Sequence, residues 1–553
     1  MLFQAGPLTN KFIIIIKHIS FYLNGGFFSM SIKKAIGTFA ALGVCATAVA
    51  VNVQFYDENL PGSLNPLYAE SMVDFRAQEL YFDRIFYVDP INNKLDSKIV
   101  RRFEMAGAKK IRLFLNEGLK WHNGEDLTAN DICFTIKAIM DPQTTSARAK
   151  AFRKSFTDCE VEKDTVAVIE FPEVYHKPIA RLSFAVLPKS SFKSTAILPN
   201  TEFSTRPVGS GPMSGAKSSS YAVFKAHRQS SHHNPKIDKM RLNQAQDPVV
   251  QINTLKGGGM QGIISVAPPY RPELASSSEV FITTYDLRSW WFIALNESNP
   301  ILAKKEVRQA LNYLIDRNDL REKTIGVKKG DKESPCELIS GPFVQSSPYY
   351  NRSIPVVERR YEAKATALLN RAGLEKRGRA WYYNGEQVRL RIGMKETLNK
   401  EAPDLLDQIG NQLGEAGFDR LVYKISAEEW SREVISGKSS SKYDLVIGKW
   451  SFNIDENVNN LFQTRKKDKG TRNIFNYSNP EVDAILERFN AARRDSDAQN
   501  AYLDLHAKLS DELPYLFLWK LDTKSAWRTE LRSSIITPYY YFTMIDTWKY
   551  SKK

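Results

Sequence analysis

Leu119-Lys120-Trp121-His122-Asn123-Gly124-Glu125-Asp126-Leu127-Thr128-Ala129-Asn130-Asp131 joins a polar turn to a capped helix. Trp121 to Asp126 is the turn, and Gly124 allows it to be tight. Thr128 is placed to cap a helix running through Phe134 and Ile136 to Ile139, and Asp131 stands at the third helical position, as in a capping box. Asp141-Pro142 stops that helix. Upstream, Lys110 to Leu115 reads as a strand, so the stretch is the joint of a strand–turn–helix unit.

The same alternation continues outward. Val161 to Phe171 carries β-branched residues in alternation and predicts a half-buried strand, and Leu182 to Leu187 predicts a second short one. Pro207-Val208-Gly209-Ser210-Gly211-Pro212 is a rigid turn suited to returning the chain to another domain. Lys256-Gly257-Gly258-Gly259 is a flexible turn and lacks the Lys-Ser/Thr tail of a phosphate loop. Trp291 to Leu295 predicts a strand. Lys305 to Ile315 has Val307, Ala310, Leu311 and Leu314 at helical spacing. Val388 to Met394, Leu421 to Ile425, Tyr443 to Ile447 and Tyr515 to Trp519 predict strands, with helices at Glu481 to Phe489 and Ala501 to Leu509. No internal repeat interrupts this order, and the expected architecture is α/β.

The 553 residues suffice for several domains, and 42% apolar with 25% charged residues is ordinary globular usage. The net charge of +15 is spread over the chain; Arg465-Lys466-Lys467, the longest basic cluster, is followed at once by Asp468. No basic stripe or reader motif stands out, so no nucleic-acid partner is expected. Lys33-Lys34, the uncharged run Ala35 to Val51 and the small residues of Ala46-Thr47-Ala48 and Ala48-Val49-Ala50 have the order of a secretory signal peptide. Met30 is a natural start for it, and residues 1–50 are read as a targeting region with the signal at about 30–50. Leu42-Gly43-Val44-Cys45 faintly resembles a lipobox, but Val44 replaces the usual small residue, so lipid anchoring at Cys45 is not expected. Of the other cysteines, Cys133, Cys159 and Cys336, none is spaced as CxxC. Export permits a Cys133–Cys159 bridge; buried free thiols are the other reading.

Several segments together resemble the peptide/nickel class of bacterial extracellular solute-binding proteins. They are Leu119 to Asp131, Pro207 to Pro212, Val307-Arg308-Gln309-Ala310-Leu311-Asn312-Tyr313-Leu314-Ile315-Asp316-Arg317, Gly341-Pro342-Phe343 through Tyr349-Tyr350-Asn351 with the helix end Leu368 to Leu374, and Asn476-Tyr477-Ser478-Asn479-Pro480-Glu481-Val482-Asp483. They stand in the family's order over most of the mature chain. The resemblance implies a bilobed periplasmic binding protein of the type II kind, with an extra inserted N-terminal domain and a hinge between the lobes. The implied division is a discontinuous first lobe at 51–67, 196–274 and 506–553, the insertion at 68–195 and the second lobe at 275–505. The implied function is capture of oligopeptides or a related small solute in the periplasm, by a monomer, for delivery to ABC transporter permease subunits in the inner membrane. No enzyme activity, catalytic residue or cofactor is implied. Related readings are a sensing receptor of the same fold and a binder of a non-peptide solute.

The resemblance also marks ligand candidates. Leu64-Asn65-Pro66 is similar to an early family motif, after which Glu70, Ser71 and Met72 fall at the cleft. Lys449-Trp450-Ser451-Phe452-Asn453 resembles a motif whose final aspartate holds the α-ammonium of a bound peptide. Here that position is Asn453, which cannot neutralise an ammonium. Asp455, two residues on, is the candidate substitute; otherwise the ligand lacks a free amine. Arg148 replaces a family tyrosine in Asp141 to Arg148 and is a candidate for an anionic group. Asn296 matches a family asparagine expected near the hinge or ligand. Aromatic Trp290-Trp291-Phe292 and Tyr539-Tyr540-Tyr541-Phe542 are cleft or core. The adjacent His232-His233 point apart on regular structure and the seven histidines contain no H-x3-H pair, so no metal site is expected. A secreted hydrolase is disfavoured by the absence of HExxH, G-x-S-x-G and papain-like surroundings for a cysteine. A holdase acting through a dry patch would show no saturable small-ligand binding.

Overall fold

Two mixed sheets organise the chain, and adjacent strands run from one into the other. The computed structural model describes residues 50–551 except 70, 90–93, 176, 267–269, 286–288, 328–335, 436–440, 452–455, 466–472, 533 and 537–540. The expected signal peptide and Cys45 therefore lie outside the described residues, as do Tyr539 and Tyr540. The first sheet has the order Val280–Tyr285, Thr523–Arg528, Gly262–Ile263, Asn52–Asp57, Lys239–Gln244, Tyr221–Ala226, Met213–Lys217. The second has the order Cys336–Leu338, Tyr515–Leu521, Ser289–Leu295, Leu445–Ser451, Arg389–Lys395, Asp419–Ile425.

The second sheet is covered on both faces. Trp291, Ile293 and Leu295 point into one apolar core; Trp290, Phe292 and Ala294 point into another. This is the period of two along a strand, and double coverage explains why Ser289–Leu295 reads as an unbroken apolar run. Helices Lys305–Leu314 and Leu405–Glu415 bury apolar faces in the first of these cores, and Pro480–Ala491 and Asp495–Glu512 in the second.

The insertion is built on an antiparallel sheet ordered Val100–Met105, Lys110–Leu115, Val166–Glu170, Asp158–Lys163. Helix Ala129–Met140 lies on it, with Thr128 and Asp131 forming the expected capping box. A disulfide joins Cys133 on that helix to Cys159 on the edge strand. The segment expected as one strand from Val161 to Phe171 is a hairpin, because the chain turns at Asp164-Thr165 and alternation resumes beyond it. Leu182 to Leu187 is not a strand. It follows the 3-10 turn Pro178–Leu182 and makes only an isolated bridge, Ala185 to Arg84; its apolar residues fill the core instead.

Two sequence motifs meet at Tyr81. A Cβ on Gly209 would stand 1.9 Å from the Tyr81 carbonyl oxygen, and one on Gly211 2.6 Å from its carbonyl carbon. Only glycine allows the 207–212 turn to lie against the end of helix Met72–Tyr81. His122 of the opening motif fastens the same turn: its backbone N–H donates to Gly209 O at 2.7 Å, and its Nδ1 accepts from Gly209 N–H at 3.2 Å. Burial pushes the His122 imidazole down to about 4, so the ring stays neutral.

The chain passes between the two large sheets at residues 285–289 and 521–523. Tyr285 pairs with Thr523 in the first sheet and Trp290 with Lys520 in the second. Sheet membership thus differs from the expected lobe limits. Val280–Tyr285, expected beyond residue 274 in the second lobe, is a strand of the first sheet. Tyr515–Leu521, expected beyond 505 in the first lobe, is a strand of the second. The changeover follows strand pairing and lies about eleven residues beyond 274 and about sixteen beyond 505, the limits that the resemblance implies.

Candidate functional site

The carboxyl ends of the parallel strands locate a cleft. In the first sheet Asn52–Asp57 runs parallel to Gly262–Ile263, whose Ile263 pairs with Ala526, so both strands end toward the crossover at Tyr285 and Thr523. In the second, Arg389–Lys395 is parallel to Leu445–Ser451, which ends with Trp450 opposite Trp290 and Ser451 opposite Ser289. That too is the crossover end. Ligands of open α/β sheets bind outside the carboxyl ends of strands, because loops and helix starts present unpaired backbone groups there. Both sheets turn their carboxyl ends toward one crossover, which is where that rule places a ligand.

The expected ligand residues divide by position. Trp450 and Ser451 stand at this end of the second sheet, Ser451 exposed and Trp450 half-buried. Trp450 Nε1 and, on the other face of the sheet, Ser289 Oγ are buried polar atoms with no hydrogen-bond partner among the described residues. Ser71 caps helix Met72–Tyr81, accepting from Asp74 N–H at 3.2 Å, while Asp74 accepts from Ser71 N–H at 2.9 Å. Met72 is 37% exposed. Arg148 lies over the Phe75 ring of the same helix, 4.8 Å from its centroid, which brings the insertion beside Ser71 and Met72. Asn296 is elsewhere, at the end of Ser289–Leu295 remote from the crossover. Its amide donates to Tyr443 O at 3.0 Å and accepts from Ser298 N–H at 3.1 Å, which occupies the side chain in a turn. Glu70, Asn453 and Asp455 lie outside the described residues.

Charge is buried beside the carboxyl end of the first sheet. Asp57, the last residue of its strand, accepts from Arg76 Nε at 3.1 Å and from its Nη2 at 2.5 Å. Burial works against the guanidinium charge, but the Asp57 carboxylate outweighs it and Arg76 is raised above its ordinary range. One turn on, Glu79 accepts from Phe542 N–H at 2.6 Å. Burial pushes its carboxyl well above the usual range, against the nearby Arg84 and Arg76 charges and the Phe542 N–H. Tyr285, at the crossover itself, is likewise raised by burial. Sequence reasoning did not single out Asp57, Arg76 or Ser289. Each is an ordinary polar residue until the sheet order sets it at the crevice.

Two mixed sheets joined at a two-strand crossover, with their carboxyl ends turned toward it, have the architecture of a two-lobed α/β binding protein. Residues 66–472 match the model of the bacterial extracellular solute-binding proteins, family 5, and the chain belongs to that family. Its members are exported, bind peptides or other small solutes and work with ABC transporter permeases. The chain is similar to the oligopeptide-binding protein AppA of Bacillus subtilis, 22% identical over 510 residues that cover 89% of this chain and 90% of AppA. The structure of AppA in complex with a nonapeptide superposes with a TM-score of 0.72 at 19% identity, covering 91% of this chain and 99% of that one. NikZ of Campylobacter jejuni, solved with a nickel–histidine complex, gives 0.72 at 18% identity, covering 90% and 99%. These similarities establish the bilobed periplasmic binding-protein fold. No described helix is long and apolar enough to cross a membrane.

Proposed function

We propose that this protein captures oligopeptides in the crevice between its two sheets, as a periplasmic monomer, and delivers them to permease subunits in the inner membrane. The observation that carries the reading is the buried donor Trp450 Nε1 at the carboxyl end of the second sheet, which lacks a partner among the described residues. A buried donor left without a partner costs about 1–3 kcal/mol, so it suits a ligand that brings a carbonyl oxygen. The peptide-binding relatives support the same ligand class. In this reading Trp450 and Ser451 line one wall and Ser71, Met72 and Arg148 stand on the other, while Glu70, Asn453 and Asp455, outside the described residues, are ligand contacts that rest on the family resemblance alone. A second reading is favoured by one residue: Asn453 is neutral where the resemblance implies a carboxylate, which suits a solute without a free amine.

Native mass spectrometry of the protein purified without refolding tests both. A ladder of retained masses matching peptides of several lengths is the expected result. A single non-peptide mass would replace the first reading with the second. Trp450→Phe keeps the ring and removes one donor, and is expected to weaken binding about tenfold. An unchanged dissociation constant would remove Trp450 from the site.

A further inference from the structure

Between strands Tyr221–Ala226 and Lys239–Gln244 the chain makes a turn that carries His232 and His233. Ser230 Oγ accepts the backbone N–H of both, at 3.3 and 3.0 Å, and this folds the turn so that the two rings converge. His232 Nε2 lies 2.8 Å from one oxygen of Asp83, and His233 Nε2 lies 2.9 Å from the other. Asp83 follows the end of helix Met72–Tyr81. All three side chains are buried or nearly so, at 10% exposure for His232, 1% for His233 and 6% for Asp83, and their ligating atoms lie within 4.8 Å of one another.

A further carboxylate stands behind this group. His233 Nδ1 faces Asp546 Oδ2 at 2.6 Å, and Asp546 is held in turn by Lys98 Nζ at 2.7 Å and by the Asn234 N–H at 3.0 Å. A metal-bound histidine characteristically gives its other ring N–H to a carboxylate, which fixes the tautomer and frees the opposite nitrogen to bind. The Asp546–His233 contact has that arrangement. Two imidazole nitrogens and one carboxylate oxygen suit zinc, which takes such ligands at about 2.0–2.2 Å in tetrahedral geometry. A cavity of about 30 Å³ lined by Glu79, Asp83, Tyr87, Lys98 and His233, among others, adjoins the group and has room for a water at a fourth position.

We propose that Asp83, His232 and His233 form a binding site for a zinc-class divalent cation, with Asp546 as the residue that orients His233. The ion clips the end of helix Met72–Tyr81 to the 227–238 turn and, through Asp546, to the C-terminal segment. No expected solute-binding residue takes part, so the site stands or falls independently of the proposed ligand. Room for the ion requires the ligating atoms to part by a few tenths of an ångström from their present spacing, toward the edge of about 3.3 Å that bonds of this length impose. His232, on a turn and the most exposed of the three, is the side chain placed to move.

The test uses the full mature chain without a histidine tag, freed of metal by a chelator and titrated calorimetrically with zinc chloride. One zinc per chain is expected for the native sequence, with binding at least tenfold weaker in His232→Ala and ten- to hundredfold weaker in Asp546→Asn. Zinc should raise the melting temperature of the native protein and leave that of His232→Ala unchanged. Cobalt(II) should give a visible absorption band in the native protein that His232→Ala removes, a reading that does not depend on stability. Binding of zinc unaltered in His232→Ala would place the ion elsewhere and overturn the proposal. No binding at micromolar zinc would reduce the cluster to an ion-pair network.

Discussion

His506 lies on helix Asp495–Glu512 with its ring buried, and both ring nitrogens are engaged. Nδ1 accepts from Asn351 N–H at 3.3 Å, which leaves Nε2–H to donate to Ser340 Oγ at 3.0 Å. Burial holds the imidazole down to about 4. In the unfolded chain the same group titrates near ~6.5, so the unfolded state takes up the proton first as the solution is acidified. The resulting stability is present above that unfolded value and is lost as the pH falls toward the folded one, with a slope of about 1.4 kcal/mol per pH unit. Between pH 7 and 5 His506 should therefore cost the protein about 2 kcal/mol. His506→Gln keeps a donor and does not titrate. Denaturant unfolding at the two pH values should show a correspondingly smaller loss, and an equal loss in both proteins would mean the ring is protonated when folded. At this scale the sequence is a poor guide to roles. Asn296 fits a family motif yet spends its amide on Tyr443 and Ser298. His232 and His233 sit on a turn built by Ser230, so the divergence expected of neighbours on regular structure does not apply.

Elements were more legible than residues wherever local chemistry defines them. The capping box at Thr128 and Asp131 follows from two residue types three apart, and the structure has both of its hydrogen bonds. Ser289–Leu295 and Tyr515–Leu521 were readable because coverage on two faces makes them apolar throughout. The strands of the first sheet were not. Tyr221–Ala226 and Lys239–Gln244 each bury only two apolar side chains, and their sheet is assembled from segments as far apart as Asn52–Asp57 and Thr523–Arg528. Ser71 shows how an element explains a residue expected at the ligand, since its hydroxyl already caps a helix. Ser71→Ala should cost about 1 kcal/mol of stability, whereas Ser71→Asp, itself a good cap, should cost little. If the hydroxyl only caps, ligand affinity is unchanged in both; a loss of affinity in Ser71→Asp with stability retained would show direct contact. The disulfide makes a second prediction for the insertion. Cys133 and Cys159 are 26 residues apart, and a loop of that size corresponds to about 3.5 kcal/mol of unfolded-state entropy. The Cys133→Ser/Cys159→Ser double variant should lose stability of that order in denaturant unfolding without losing its ligand, since neither cysteine belongs to the crevice.

Over the whole molecule, the arrangement of the sheets decides what can move. The second sheet is locked between two cores, and the first sheet shares one continuous core with the insertion. Neither body can bend cheaply, because close-packed interiors resist continuous deformation. Tyr285 pairs with Thr523 in the first sheet and Trp290 with Lys520 in the second, so a small rotation between these two pairs would move one sheet against the other while the pairing within each survives. Closure on a solute is driven only by the difference in affinity between the two states. Small-angle scattering should accordingly give a smaller radius of gyration with saturating ligand than without. Ligand at a hundred times its dissociation constant should add about 2.7 kcal/mol to stability. Asp522, between the two paired strands, supplies the control. Relative to Asp522→Ala, which equally gives up the contact with Lys520 Nζ at 3.1 Å, Asp522→Gly loosens the link by about 0.5–1 kcal/mol. Its apparent affinity should fall two- to fivefold, while the radius of gyration at saturation stays that of the native protein, because the closed state itself is unaltered. A radius that does not change on binding in the native protein would mean that the two bodies are fixed and that the solute enters a preformed crevice.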